Sequence, residues 1–233
     1  MKPRLLDLFC GAGLAAVGYA EAGFGVIGVD INRQPDYPDY FVQDDALRYV
    51  REWGYVFDAI HASPPCQFLT SARHLRTAQG GESKYPDLLT PTLQALRSLS
   101  VPWVVENVEG AKEIMQPRDG EYLVRVCGSA FGLEVQRHRL FLSNVPIEGT
   151  TCDHSIFPPD PITGKPRPWG VYHVPGDSIP KGGRTAYNAW HAAALFGLSR
   201  DLPWGSIKEG FPPAYTRWIG NQLMAYVEGK RAA

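Results

Sequence analysis

Four short apolar runs, each stopped by glycine, proline or a polar residue, most narrow what this chain can become. They are "RLLDLFC" (4–10), "GVIGVDI" (25–31), "YVFDAIHAS" (55–63) and "VPWVVENV" (101–108). Each has strand length and is rich in Val, Ile or Leu. Helical patterns lie among them, in "GAGLAAVGYAEAGF" (11–24) and in "DLLTPTLQALRSL" (87–99). Pro91 must occupy the first turn of the second helix or kink it. "FVQDDALRYV" (41–50) reads as a turn followed by a short helix or strand. Strands alternating with helices predict an α/β fold built on a doubly wound, mostly parallel sheet.

The texture changes after about residue 140. Residues 145–184 are rich in proline and glycine and lose all periodicity, which predicts a small loop-rich insert. "TAYNAWHAAALFGL" (185–198) resumes a helical pattern, and "AYTRWIGNQLMAYVEGKR" (214–231) reads as a terminal helix. The expected division is one domain from 1–144 and 185–233, with 145–184 as a separate segment. The 233 residues, 44% of them hydrophobic, suffice for one such domain with a large core. A formal net charge of −1 excludes a strongly basic nucleic-acid coat protein, though not an enzyme with local basic patches. The opening residues have too short an apolar run for a signal peptide. No run approaches the roughly 18 residues of a membrane span, so a soluble cytoplasmic protein is expected.

Five local features carry chemistry. A glycine turn at Gly11 and Gly13 follows the first strand, and Asp30 ends the second. Such a turn lets a ligand approach the backbone, and such an acid accepts hydrogen bonds from ribose hydroxyls. By itself the segment can also be read as a plain strand-to-helix turn. Cys66 follows Pro64 and Pro65 in "HASPPCQFLT" (61–70). Two prolines restrict the backbone and can aim a nucleophile, although buried cysteine after a proline strand terminator is also common. Glu106 and Asn107 end the fourth run, where α/β sheets place their ligands. Arg137 and Arg139 alternate in "QRHRLF" (136–141) and so project to one side of a strand, or decorate a solvated basic edge. "IGNQ" (219–222) opens or interrupts the last helix.

In order and content these features resemble the DNA cytosine-5 methyltransferase family. The matching segments are "DLFCGAGLAAVGYAEAGF", "GVD", "QDDA", "SPPCQ", "VVENV", "RHR" and "IGNQ", which span nearly the whole chain apart from about 145–185. The resemblance implies a Rossmann-like methyltransferase fold with S-adenosylmethionine as cofactor. It implies that Cys66 attacks C6 of cytosine while Glu106 contacts N3, which makes the ring electrophilic. Arg139 would hold the base at O2, with Arg137 in support. Phe9, Gly11, Gly13, Asp30, Asp45, Pro65 and Asn221 would surround the cofactor, Asp45 at the adenine amino group. Gln67 and Asn107 would lie beside the substrate. The target base must leave the duplex to be reached. The polar loop 68–87, with Arg73 and Arg76, resembles the family's loop that closes over the flipped base. Lys165 and Arg167 of the insert would join in contacting duplex DNA. The expected partner is duplex DNA, bound by a monomer.

The chain departs from the family at Leu14, Val135 and Ile31, where glycine, glutamine and an aromatic are usual. Its recognition segment is also unusually short. The same chemistry on a free cytidine nucleotide or RNA, transfer of a different one-carbon unit, and a catalytically silent DNA-binding module are the alternative readings. Intact Cys66 and Glu106 weigh against the last. The four cysteines, Cys10, Cys66, Cys127 and Cys152, form no CxxC pair, and no disulfide framework is expected. Cys152 and His154 amount to half a metal site. Because Cys66 is assigned to the active site, Cys10 to packing beside the glycine turn and Cys127 to the core, no metal is expected.

Overall fold

The computed structural model describes residues 2–69, 85–154, 172–173, 184–185, 188–198 and 202–232. Nine strands are described among these: β1 Arg4–Leu8, β2 Gly25–Asp30, β3 Tyr40–Gln43, β4 Ala59–Ala62, β5 Trp103–Asn107, β6 Tyr122–Val126, β7 Arg139–Ser143, β8 Tyr172–His173 and β9 Arg184–Thr185. The helices used below are α1 Leu14–Glu21, α2 Ala46–Trp53, α3 Leu89–Arg97, α4 Ala189–Leu195, α5 Trp204–Glu209 and α6 Pro213–Ala232. Seven strands form one sheet in the order β3-β2-β1-β4-β5-β7-β6. Strands β3 to β5 run parallel, whereas β7 is antiparallel to both β5 and β6. The doubly wound, mostly parallel sheet read from the alternation is therefore the observed one. A separate parallel pair joins β8 to β9.

Side-chain alternation along the central strands builds two cores from one sheet. Leu5, Val26, Ala59 and Val104 pack on one face with Tyr19 of α1 and Tyr215, Ile219 and Leu223 of α6. Their neighbours Leu6, Ile60 and Val105 pack on the other face with Val50 of α2 and Leu93 and Leu96 of α3. Pro91 is the third residue of α3, so its missing N–H falls in the first turn, as expected. Asp87 accepts the first-turn N–H groups of Leu89 and Thr90 there, at 3.0 and 3.1 Å. The 41–50 segment resolves into β3 and α2, with the Asp45 side chain capping α2 through the Arg48 N–H at 2.7 Å.

"IGNQ" neither opens nor breaks the terminal helix, which runs unbroken through it. A Cβ on Gly220 would stand 2.9 Å from Ala22 and Tyr19, so the glycine is needed for α6 to lie close on α1. Among the described residues no helix is long and apolar enough to cross a membrane. The insert assigned to 145–184 is described only at 145–154, 172–173 and 184–185.

Candidate active site

The carboxyl ends of β1, β2, β4 and β5 point the same way, and β1 lies where the chain turns from building the β2 side to building the β4 side. That switch point leaves a crevice. The antiparallel β7 starts at this same edge, because Asn107 pairs with Leu140 and Glu106 with Phe141. Arg139 is thereby carried to the end of β5. A cavity of about 1950 Å³ lies there, larger than the ~300–1,000 Å³ of an ordinary small-molecule site. Its walls include Phe9, Gly11, Asp30, Asp45, Pro65 and Cys66. Gln67, Glu106, Asn107, Arg137 and Arg139 also line it.

The glycine turn is conformationally demanding. Phe9 has φ 56°, Gly11 φ 49° and Gly13 φ 77°, all left-handed. A Cβ on Gly11 would meet nothing within 4 Å, so this backbone faces open space. Gly13 differs: a Cβ there would stand 2.3 Å from Pro38 and 2.8 Å from Tyr37, and the residue does not line the cavity. It admits the 37–38 segment instead of a ligand, which corrects its expected place beside the cofactor. Tyr37 in turn donates to Asp7 Oδ2 at 3.2 Å. Burial pushes the Asp7 carboxyl well above the usual carboxylate range, with the Tyr37 hydrogen bond offsetting only part of the rise. Asp7 borders the cavity, and its Oδ1 is buried with no hydrogen-bond partner among the described residues. Asp30 accepts the N–H of Gly11 at 3.1 Å and of Asn32 at 2.9 Å, which fixes its carboxylate at the cavity edge.

Glu106 and Arg139 are both buried, and Arg139 Nε lies 2.9 Å from Glu106 Oε1. Burial raises the Glu106 carboxyl, while Arg139 and a hydrogen bond from Ser63 pull it back. Burial also pushes the Cys66 thiol up, with Arg139 lowering it and Glu106 raising it further. Ser63 belongs to a buried chain that sequence reasoning missed. Tyr19 Oη lies 3.0 Å from His61 Nδ1, and His61 Nε2 lies 2.8 Å from Ser63 Oγ. One tautomer satisfies every link: Tyr19 donates to Nδ1, Nε2–H donates to Ser63, and Ser63 donates to Glu106. His61 is wholly buried, and desolvation lowers it to about 3, so its ring stays neutral. The only local signal was Ser63 at the mouth of a strand; the β4–β5 register, with Ala62 beside Val105, brings it next to Glu106.

Two residues expected at the substrate, both on the cavity wall, also act as structural ties. Asn107 Nδ2 donates to the Pro64 carbonyl at 2.9 Å, and Asn107 Oδ1 accepts the Val108 N–H. The side chain thus fastens the Cys66 loop to the end of β5. Arg137 donates to the carbonyls of Gly210 and Lys208 at 2.8 and 2.5 Å, and its guanidinium lies over Phe196. It anchors the α5–α6 junction to the cavity wall. Asn221 is exposed on α6 and does not line the cavity, which overturns its expected place at the cofactor. Arg73, Arg76, Lys165 and Arg167 lie outside the described residues.

No protein-family profile and no curated protein matches the chain. Solved structures do. A prophage-encoded E. coli protein described as a DNA modification methyltransferase is similar at 15% identity and TM-score 0.62, covering 97% of this chain and 99% of that one. The S. pombe Dnmt2 methyltransferase matches at 13% identity and TM-score 0.57, covering 97% and 99%. The Entamoeba histolytica methyltransferase EhMeth matches at 13% identity and TM-score 0.51, covering 99% of each chain. At these identities the likeness establishes a shared fold, the Rossmann-like fold of these methyltransferases.

Proposed function

We propose that the chain is an S-adenosylmethionine-dependent methyltransferase acting on C5 of cytosine in duplex DNA. The observation that carries the reading is one cavity wall holding Cys66, Glu106 and Arg139 beside a glycine turn that closes on Asp30. The similarity of fold to three methyltransferases supports it.

The residues present fit the cofactor. The backbone at Gly11 faces open space, and Asp30 offers a held carboxylate for ribose hydroxyls. Phe9 and Pro65 also line the cavity, as does Asp45, which would meet the adenine amino group. When bound, S-adenosylmethionine supplies the methyl group that C5 takes.

The remaining chemistry belongs to side chains. Cys66 loses its proton and bonds to C6 of a base turned out of the duplex, and the C5–C6 electron pair becomes available at C5. Glu106, whose burial favours its protonated form, holds a proton at N3 and draws charge from the ring. Arg139, fixed by Glu106, addresses O2. Loss of the C5 proton to solvent water in the cavity then returns its electron pair to the C5–C6 bond, expels the Cys66 thiolate and lets the N3 proton pass back to Glu106, which restores the aromatic ring. Asn107 keeps the nucleophile loop in place throughout, and segment 145–184 contributes the recognition of DNA.

The test is to incubate the protein with labelled S-adenosylmethionine and duplex DNA, RNA or cytidine nucleotides, and to sequence the DNA for modified cytosine. Label in duplex cytosine, lost in Cys66→Ser with cofactor binding retained, is expected. Faster labelling of RNA or free nucleotide would overturn the DNA assignment, and label transfer by Cys66→Ser would overturn the covalent one.

A further inference from the structure

Away from the cysteine in the cavity, two cysteines and two histidines converge at the outer edge of the sheet. Cys127 directly follows β6, His138 directly precedes β7, and Cys152 and His154 lie where the chain leaves the sheet after β7. Their ligand atoms all lie within 4.8 Å of one another. Cys127 Sγ is 3.4 Å from His154 Nε2, and Cys152 Sγ is 3.5 Å from His138 Nε2. The two imidazoles stack with centroids 5.3 Å apart. In a tetrahedral site with Zn–S near 2.3 Å and Zn–N near 2.0–2.1 Å, sulfur and nitrogen ligands stand roughly 3.5 Å apart. Both cross-pairs already match that edge length.

The surroundings match as well. Glu109 Oε2 lies 3.2 Å from His138 Nδ1, which orients the ring so that Nε2 faces the sulfurs. A carboxylate on the far nitrogen is the usual support of a metal-bound histidine. Ser129 Oγ lies 3.5 Å from Cys127 Sγ and can donate to a thiolate. The backbone is held in register by Thr150, whose Oγ1 accepts the Cys127 N–H at 3.3 Å and whose N–H donates to the Arg125 carbonyl at 2.9 Å.

We infer that Cys127, His138, Cys152 and His154 form a structural zinc site. Two thiolates and two neutral imidazoles neutralise a divalent ion and suit its borderline softness. Four protein ligands leave no position for a substrate or an activated water. The ion fastens the end of edge strand β6 and the first residues of segment 145–184 to the head of β7. His138 stands between Arg137 and Arg139 and itself lines the cavity, so the ion also fixes the backbone from which Arg139 reaches Glu106. This reverses the expectation of no metal and of a merely packed Cys127.

The full chain, purified under reducing conditions from zinc-supplemented cells, tests this by elemental analysis. Wild type and Cys66→Ser are expected to carry about one zinc per chain, and Cys152→Ser background levels. Cobalt in place of zinc should give thiolate charge-transfer bands and the intense d–d bands of a tetrahedral ion. If Cys152→Ser does not fold, Cys152→His takes its place; it should keep the metal with weakened charge-transfer absorption. Wild type that holds neither zinc nor tetrahedral cobalt, or Cys152→Ser that keeps its full zinc, would overturn the site. So would cobalt bands in Cys152→His as strong as those of wild type.

Discussion

Substituting His61 probes the buried chain that runs from Tyr19 to Glu106. The ring is fully buried, and its pKa falls from 6.5 to about 3 through desolvation alone. Protonation would also turn Nδ1 from acceptor to donor and set it against the Tyr19 hydroxyl that now donates to it. The folded state therefore favours the neutral ring. Its contribution is fully present above the unfolded pKa of 6.5 and is lost as pH falls toward about 3. The slope over that window is about 1.4 kcal/mol per pH unit, so about 2 kcal/mol disappears between about pH 7 and pH 5. Glu106 and Asp7 act in the opposite sense, because the fold favours their protonated forms. The measurement must therefore be a difference. Denaturant unfolding of wild type and His61→Gln, each followed at several pH values, supplies it. His61→Gln is less stable at neutral pH, and its disadvantage is expected to shrink by about 2 kcal/mol on acidification to about pH 5. Parallel stability curves for the two proteins would refute a neutral buried ring.

Three further outcomes are expected. Asp30→Ala should weaken S-adenosylmethionine binding by at least about tenfold to a hundredfold, since even one hydrogen bond to a charged acceptor contributes about 1.5–3 kcal/mol; calorimetry reads this directly. Asn107→Ala frees the Pro64 carbonyl and loosens the Cys66 loop, so turnover should fall while the calorimetric cofactor affinity stays unchanged. Gly13→Val sets a β-branched side chain at φ 77° against Pro38 and Tyr37. It should cost at least about 2 kcal/mol, a fall in Tm of about 4–8 °C on thermal unfolding. Gly11→Ala meets open space but still sets a Cβ at φ 49°, so it should cost only the backbone strain of about 1–2 kcal/mol, with a further loss in cofactor binding.

What the sequence by itself determined is local. A strand shows its period of two within a few residues, as Leu5 and Leu6 do by facing opposite cores. A glycine turn, the acid at the end of β2 and a cysteine behind two prolines each sit within one short segment. Their order along the chain was enough to place Phe9, Asp30, Cys66 and Glu106 around one crevice, because the carboxyl ends of parallel strands must share an edge, whereas Arg139 reaches it only because β7 starts there antiparallel to β5. What the tertiary structure decided depends on which strands are neighbours and in what register. Asn221 faces solvent because of how α6 lies on α1, and Gly13 is occupied by a segment more than twenty residues downstream. Ser63 reaches Glu106 only through the β4–β5 pairing. The zinc ligands are the clearest case. Their spacing matches no compact metal motif, and Cys127 looked like core. Antiparallel pairing of β6 with β7, Val126 against Arg139, brings the end of one strand to the start of the next. The chain leaving β7 then turns back along β6, and four residues scattered over positions 127–154 share one point because sheet hydrogen bonding acts across strands, where sequence spacing carries no signal.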